Sequence, residues 1–255
     1  MIELPAVSCM CLTYGRPHLL EEAVYSFIRQ DYVGIKELII LNDMNEQNLI
    51  YDHPDVVTVN VNKRFRNVGE KRNACAALCS HDILFVWDDD DIYLPHRISY
   101  SVNALGLGDF FKTTKGFQLN NDKLSGPVRN VFHSSSCWSR KWFDGVGGYT
   151  HMGSGQDTDI EHKFERIYGK KNSDIPDNDI FYIYRWSGTN SYHLSGFGRD
   201  RDGQKTGNSK VQEFVMKQIK TGVISTGNIK LIPKWKYDYT KMTQQFLNCR
   251  ICDSI

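Results

Sequence analysis

Long apolar runs and an export signal are both missing from this sequence. It has no run of about 18 or more apolar residues, so no segment is predicted to span a bilayer. The N-terminus carries no basic region ahead of an apolar one, and residues 6–12 are therefore predicted to form a core strand rather than a signal peptide. We accordingly expect the seven cysteines to be reduced thiols in a cytoplasm, that of a bacterium or a phage-infected host. Cys249 and Cys252 form a C-x-x-C pair, for which ordinary thiols are favoured over half a zinc site or a redox pair.

Several catalytic motifs are also absent. The sequence contains no GxSxG, HExxH or GxxxxGK[ST] pattern, which leaves hydrolase and P-loop functions without support. A nucleotidyltransferase would normally have a phosphate loop rich in glycine and lysine near the N-terminus, and LTYGRPH (12–18) matches that poorly. With 255 residues, of which 40% are hydrophobic, the chain is long enough for one large domain, alone or with a short appendage.

The net charge of +1 hides an asymmetry along the chain. Residues 201–255 hold ten Lys/Arg and four Asp/Glu, a balance of +6, so residues 1–200, with 21 and 26, carry −5. Within the basic part, residues 230–241 (KLIPKWKYDYTK) interleave lysines with three aromatic residues, Trp235, Tyr237 and Tyr239. This pattern suits nucleic acid, an anionic glycan or a membrane surface, and equally a packed C-terminal strand with exposed lysines.

Strand and helix patterns alternate through about residue 105. Apolar strands are predicted at 6–12, 37–41, 56–61 and 81–87, and helices at 17–30, at 67–79 and from Pro95. This alternation predicts an α/β fold with an open, mostly parallel sheet flanked by helices. Further along we predict helices over 154–168 and 209–220, a strand over 179–186 and a mobile loop over 196–210.

Polar residues follow three of the predicted strands, where ligands bind in open α/β sheets: Thr13-Tyr14, Asp43 and Asp88–Asp91. Four consecutive carboxylates raise one another's pKa, and Mg²⁺ or Mn²⁺, which prefer carboxylate oxygens, would relieve the repulsion. If the strand continues, Asp88 and Asp90 point to one side of it and Asp89 and Asp91 to the other. The alternative is an exposed acidic turn in which Asp91 caps the next helix. The position beside two other polar strand ends favours the metal site.

Four segments, VSCMCLTYGRPHLLEEAVYSFIRQ, ELIILND, VGEKRNACA and LFVWDDDDIYLPHRI, together resemble glycosyltransferase family 2. The resemblance covers roughly residues 5–195 and implies the nucleotide-diphospho-sugar transferase (GT-A) fold, a single Rossmann-like domain. It predicts a GT-A domain over residues 1–200, with a nucleotide-binding half at about 1–105 and an acceptor half at about 106–200. A mobile loop, an amphipathic helix and a basic appendage are expected over 201–255.

The resemblance also implies roles for individual residues at the donor site. It implies that Asp43 binds the nucleotide base and that Arg72 binds phosphate or base. The full set of residues implied to bind the nucleotide-sugar is Thr13, Tyr14, Asp43, Arg72, Asp88 and Asp89. Asn42-Asp43-Met44-Asn45 stands where the family usually has Asp-Asp-Gly-Ser, which leaves the identity of the base open. Asp88 and Asp90 resemble the DxD motif, so the predicted ligands of Mn²⁺ or Mg²⁺ are Asp90, Asp88 and His193. An isolated histidine such as His193 is equally compatible with a structural role.

A catalytic base is implied by GSGQDTDIEHKF (153–164), which resembles the family's Glu-Asp motif with Gln156 in place of the first acid. Asp157 would deprotonate the acceptor hydroxyl in an inverting transfer, with Asp159 in reserve. The same residues, Ser154-x-x-Asp157, also match the pattern of a helix capping box.

Taken together, the motifs and the resemblance predict a metal-dependent inverting glycosyltransferase with a nucleotide-sugar donor, expected to be a UDP-sugar. Its acceptor is predicted to be a hydroxymethylated base in phage-type DNA or a surface polysaccharide. The alternatives are a nucleotidyltransferase and a non-catalytic nucleotide-sugar or glycan-binding module.

Overall fold

The structure is a computed structural model that describes residues 4–106, 108–129, 133–168, 172–186 and 204–252. In these ranges the helices are α1 (Pro17–Ile28), α2 (Val68–Leu78), α3 (Arg97–Leu105), α4 (Arg140–Gly145), α5 (Gln156–Tyr168), α6 (Gln204–Lys220) and α7 (Tyr239–Cys252). The strands are β1 (Val7–Thr13), β2 (Lys36–Asn42), β3 (Gln47–Ile50), β4 (Val56–Asn60), β5 (Ile83–Val86), β6 (Ile92–Tyr93), β7 (Phe110–Thr113), β8 (Lys115–Asn120), β9 (Lys123–Arg129), β10 (Cys137–Ser139), β11 (Asn172–Ser173), β12 (Tyr182–Trp186) and β13 (Gly227–Lys230).

A seven-stranded sheet forms the centre of the fold, with its strands in the order β11-β7-β10-β5-β1-β2-β4. β1 lies between β2 and β5 and is parallel to both, and β4 continues the parallel part beyond β2. Among the described strands of this sheet, only β10 runs antiparallel to its neighbours, β5 and β7. The central sheet is therefore mostly parallel, as the alternation of strands and helices predicts.

Alternate residues of β1 supply two apolar layers, one on each face of this sheet. Cys9 and Cys11 pack with α1, α3 and α7 on one face, while Met10 packs with α2, α4 and α5 on the other. This is the period-two arrangement of a strand that is buried on both sides. The two layers fix the carboxyl ends of β1, β2 and β5 at one edge of the sheet.

A second sheet, ordered β6-β12-β8-β9, lies next to that edge. β12 runs antiparallel to β6, which follows the acidic run directly, and parallel to β8. The hairpin between β8 and β9 turns at Asn121 and Asp122, whose φ angles of 47° and 64° are ones that Asn and Asp tolerate better than most residues. Through β6 and β12 this sheet joins the acidic run to the second half of the chain.

The C-terminal segment packs onto the body of the protein. β13 pairs in parallel with β3, and the backbone N–H of Leu231 donates to the carbonyl of Ile50. Tyr239 is 1% exposed, and the Trp235 indole N–H donates to Ser26 Oγ at 2.9 Å. The expectation of one strand over 230–241 is wrong, because β13 ends at Lys230 and α7 begins at Tyr239.

The predicted strands and helices of the first 105 residues are confirmed, with small shifts at their ends. β3 and β13 were not predicted. The predicted loop over 196–210 lies outside the described residues up to 203, and the chain is already helical from Gln204. In the described part of the chain, no helix is both long and apolar enough to cross a membrane. The division at residue 200 stays a prediction.

Candidate active site at the carboxyl ends of the strands

Asp43 follows β2 directly, and its carboxylate is held by groups from two other segments. Lys71, on α2, donates from Nζ to Asp43 Oδ1 at 2.5 Å and to the carbonyl of Thr13 at 2.6 Å. The backbone N–H of Phe65 donates to Asp43 Oδ2 at 3.0 Å, and an Arg64 guanidinium nitrogen lies 3.6 Å from Oδ1. Lys71 therefore ties the end of β1 to the end of β2, which brings Thr13 and Asp43 together.

Tyr14 forms one wall beside this carboxylate. The Arg64 guanidinium lies over its ring, with Cζ 3.4 Å from the ring centroid. Met44 and two residues of α6, Val211 and Val215, pack with Tyr14 in a small apolar cluster. Since Arg64 contacts both Tyr14 and Asp43, an aromatic face and a carboxylate lie side by side, a combination suited to a nucleobase.

Residues 88–91 form a turn after β5, so the expected alternation of their side chains along a strand is wrong. Asp88 accepts from Arg72 Nη2 at 3.2 Å and from Ser134 Oγ. The guanidinium of Arg72 also lies over the ring of Tyr149, 5.4 Å from its centroid. Arg72 and Asp88, both predicted at the donor site, are therefore in direct contact.

Asp89 and Asp90 share one partner, the guanidinium of Arg16. Arg16 donates from Nη1 to Asp90 Oδ2 at 2.7 Å and from Nε to Asp89 Oδ2 at 3.3 Å, and its Nη2 contacts Asp89 Oδ1. Burial raises the pKa of Asp89 to about 6; Arg16 opposes this rise and Asp90 adds to it. The pair of carboxylates is thus buried and only partly neutralised.

Asp91 has a structural role in the acidic turn. It accepts from the Tyr182 hydroxyl at 2.6 Å and from the backbone N–H of Arg185 at 2.9 Å, both on β12. Burial, with Asp90 and Asp88 nearby, raises the pKa of the Asp91 carboxyl well above its ordinary value. Asp91 therefore fastens β12 to the acidic turn, and it does not cap α3, which begins at Arg97.

The acidic turn fits a divalent cation that shares its ligands with a substrate. No group of three or more His, Cys, Asp or Glu side chains able to hold a metal occurs among the described residues. Mg²⁺ sites built from one or two carboxylates plus substrate phosphates need no such group. Asp88, Asp89 and Asp90 pair with two guanidinium groups, those of Arg16 and Arg72, so the turn keeps a net negative charge that a cation can offset. His193, the third predicted ligand, lies outside the described residues.

Asp157 lies in the first turn of α5. The helix begins at Gln156 and the carbonyl of Gly155 accepts from the backbone N–H of Asp159, so Gly155, not Ser154, is the capping residue. Asp157 Oδ1 accepts from the N–H of Thr158 at 2.8 Å. Burial acts to raise the pKa of Asp157, but His133, the Thr158 N–H and Arg72 bring it below its ordinary value of 3.8. The carboxylate is therefore ionised at neutral pH, as a general base requires.

The neighbours of Asp157 on α5 are engaged in ion pairs. Asp159, the reserve candidate, accepts from Thr150 Oγ1 and pairs with Lys163 at 3.0 Å. Glu161, one turn beyond Asp157, contacts His133 Nδ1 at 2.7 Å and the buried Lys112 at 2.6 Å. Because both of these carboxylates are already paired, Asp157 is the better placed of the three to take a proton.

Sequence reasoning missed five residues that hold this site together: Arg16, Arg64, Lys71, His133 and Ser134. Two of them could have been noticed from their positions in the sequence. Arg16 follows β1 at the same edge as the predicted site, and Lys71 precedes Arg72 on α2. Arg64 comes from a loop, and His133 and Ser134 come from one short 3-10 helix, His133–Ser135; the approach of both segments depends on tertiary structure.

Comparison with known proteins relates part of the chain to one family. The family model "Glycosyl transferase family 2" matches residues 8–111. The uncharacterized glycosyltransferase YwdF of Bacillus subtilis is 30% identical over 108 residues, which cover 41% of this chain and 40% of that protein. The matched stretches cover two fifths or less of the curated relatives.

Two solved structures share the fold. Residues 1–349 of S. aureus TarS in complex with UDP-GlcNAc superpose with a TM-score of 0.56 at 11% identity, over 84% of this chain and 73% of that one. The mannosyltransferase PcManGT of Pyrobaculum calidifontis in complex with GDP-Man and Mn²⁺ gives 0.55 at 13% identity, over 96% and 70%. Residues 8–111 therefore match glycosyltransferase family 2, and the chain shares the fold of these two solved glycosyltransferase structures.

Proposed function

We propose that this protein is an inverting glycosyltransferase that uses a divalent cation, Mn²⁺ or Mg²⁺, and a nucleotide-diphosphate sugar. The observation that carries the proposal is the acidic turn at residues 88–91, which lies beside Thr13 and Asp43 at the carboxyl ends of parallel strands. Two solved structures with this fold contain UDP-GlcNAc or GDP-Man with Mn²⁺, so the fold accommodates such donors.

The donor's nucleoside would lie against Tyr14 and Asp43, with Thr13 beside them at the end of β1. Arg72 would pair with phosphate, since its guanidinium already contacts a carboxylate, Asp88, and can exchange between anions. Asp88 and Asp89 would contact the sugar or ribose, and Asp90 with Asp88 would hold the cation. The bound cation would neutralise negative charge on the departing diphosphate. UDP is the nucleotide we test first.

Asp157 would act as the base. Its carboxylate takes the proton of the acceptor hydroxyl while that oxygen bonds to the anomeric carbon and the bond from this carbon to the diphosphate oxygen breaks. Attack opposite the leaving group inverts the configuration. The lowered pKa of Asp157 keeps the base ionised, and its place in the first turn of α5 lets the helix dipole favour the anion.

For the acceptor we propose an anionic surface glycan. The alternative acceptor is a hydroxymethylated base in DNA, for which the aromatic residues of 230–241 would stack on bases. Trp235 and Tyr239, however, pack into the body of the protein. They are therefore not a stacking platform for bases. The lysines of this segment, Lys230, Lys234, Lys236 and Lys241, are exposed and suit an anionic polymer of either kind.

The test is donor consumption by four versions of the protein: wild type, Asp90→Ala, Asp157→Asn and the control Asp52→Ala. Asp52 is an exposed carboxylate in the loop after β3, so its loss removes one charge away from the site. Each protein is incubated with Mn²⁺ and a panel of UDP-, GDP- and dTDP-sugars, with lipopolysaccharide or hydroxymethylcytosine DNA as acceptor, and nucleoside diphosphate is measured. We expect one donor to be consumed by wild type and Asp52→Ala only, and more strongly with the glycan. Equal turnover by Asp157→Asn would exclude this residue as the base, and no turnover with any donor would contradict the proposal.

A further inference from the structure

The side chain of Arg16 contacts both of the carboxylates at the centre of the acidic turn. Three of its nitrogens reach Asp89 and Asp90, with Nη1 at 2.7 Å from Asp90 Oδ2. Arg16 directly precedes Pro17, the first residue of α1, and its side chain is only 14% exposed. The end of β1 and the start of α1 thus place a guanidinium over the two carboxylates from one side.

This arrangement gives strong binding between the guanidinium and the carboxylates. The planar fork of an arginine matches carboxylate oxygens in direction as well as charge, and such charge-assisted bonds are about twice as strong as neutral ones. Asp89 and Asp90 are 1% and 5% exposed, so water screens the pairs poorly. Asp90 is also the residue that we propose as the main ligand of the cation.

A divalent cation and Arg16 therefore act on the same carboxylates with charges of the same sign. A cation that approaches Asp90 is repelled by the guanidinium and must share or displace it at Oδ2. The protein alone offers no cluster of three or more metal-binding side chains in its described part, so it has few ligands with which to offset this repulsion. A nucleoside diphosphate would change the balance, because its oxygens can bind the cation and also accept hydrogen bonds from Arg16.

We propose that Arg16 is a positioning residue that makes metal binding depend on the nucleotide: it keeps the affinity of the acidic turn for a free divalent cation low, and the nucleoside diphosphate relieves this inhibition. The inference rests on the proposed function, since it takes the acidic turn as the metal site. By linkage, the same coupling makes the nucleotide bind more tightly when the cation is present.

The test measures Mn²⁺ binding by the loss of the free Mn²⁺ signal in electron paramagnetic resonance, with and without UDP or GDP, and needs no turnover. In wild type we expect weak binding of Mn²⁺ alone and about tenfold tighter binding with the matching nucleotide, within the usual range of coupling between sites. In Arg16→Gln, which removes the positive charge, Mn²⁺ alone should bind about tenfold more tightly than in wild type, and the nucleotide should add little. Arg16→Lys, which keeps the charge, should stay close to wild type without nucleotide.

Arg29→Gln is the matched control, because Arg29 is exposed at the opposite end of the same helix. It should behave as wild type, and circular dichroism would establish that every variant is folded. If Arg16→Gln binds free Mn²⁺ as weakly as wild type or more weakly, while wild type still binds Mn²⁺ with a nucleotide, Arg16 is a scaffold for the carboxylates and this inference is wrong. If none of the proteins binds Mn²⁺ under any condition, the metal site fails, and with it both this inference and the proposed function.

Discussion

The ion pair between Lys71 and Asp43 gives the sharpest prediction for the stability of the site. Lys71 has only 9% of its side chain exposed and Asp43 only 2%, so the two charges lie almost wholly out of water. Lys71→Met keeps the aliphatic part of the side chain and removes the ammonium group. The carboxylate of Asp43 would then keep only the N–H of Phe65 and the more distant Arg64 as partners.

The expected loss can be worked out from this geometry. Two unit charges 2.5 Å apart attract by roughly 7 kcal/mol at an effective dielectric constant of about 20. Part of this offsets the loss of hydration, since burial lowers the pKa of Lys71 even though Asp43 acts to raise it. Removing one member of a buried pair typically costs about 3–5 kcal/mol. Because Arg64 still lies near Asp43, we expect the free energy of unfolding of Lys71→Met to fall by about 3 kcal/mol, at the lower end of that range.

A double-mutant cycle separates the ion pair from packing. Asp43→Asn also leaves one charge unpaired, whereas the double variant Lys71→Met/Asp43→Asn contains neither charge and should lose less than the sum of the two single variants. Urea unfolding followed by tryptophan fluorescence measures all four proteins. If Lys71→Met costs less than about 1 kcal/mol, or if its cost is unchanged in the Asp43→Asn background, the ion pair does not hold the end of β1 to the end of β2.

Three further predictions concern other parts of the molecule. A Cβ at Gly69 would lie 2.0 Å from the carbonyl oxygen of Thr150, so Gly69→Ala should push α2 from this loop and lower the free energy of unfolding by about 1–3 kcal/mol in urea. Of the six cysteines whose burial the structure describes, five are buried and Cys249 is exposed, so a thiol reagent should label Cys249 in the native protein and those five thiols only after unfolding. The acid limb of the activity profile should lie below pH 3.8 in wild type, because Asp157 has a lowered pKa, and should move to higher pH in His133→Gln, which removes one cause of that lowering. An acid limb that does not move would assign it to another group.

The parts of the fold that depend on local pattern were predictable. β1, β2, β4 and β5 are apolar segments whose burial needs only a neighbouring strand, and α2 carries its own start signal. Asn67 accepts from the N–H of Glu70 at 2.8 Å and so caps the helix from a position three residues away in the sequence. These elements fix the parallel order that places the candidate site.

The parts that depend on distant partners were not predictable. β3 has only four residues, and its partner β13 comes about 180 residues later, so neither segment has a local signal. Residues 204–210 are one glycine and six polar residues, yet they form the start of α6, whose Val211 and Val215 pack on Tyr14 and Met44. Tertiary packing overrides local propensity there.

The same reason explains the incomplete prediction of the site. The carboxylates of residues 88–91 could be identified from the sequence because they follow an apolar strand. The turn conformation of these residues could not be predicted. That turn is determined by Arg16, which directly precedes α1, and by Tyr182 and Arg185 from β12, all of which are distant in sequence. Periodicity along a single strand carries no information about such contacts.

The central claim is that the chain transfers a sugar with inversion, using Asp157 as the base. The most direct measurement follows the anomeric carbon of a ¹³C-labelled α-linked UDP- or GDP-sugar by NMR, with the protein, Mn²⁺ and a glycan acceptor. We expect the label to move to a β-linked position on the acceptor, and Asp157→Asn to leave the donor unchanged. Label that stays in the donor with wild type, or that reaches the acceptor as an α-linkage, would contradict it.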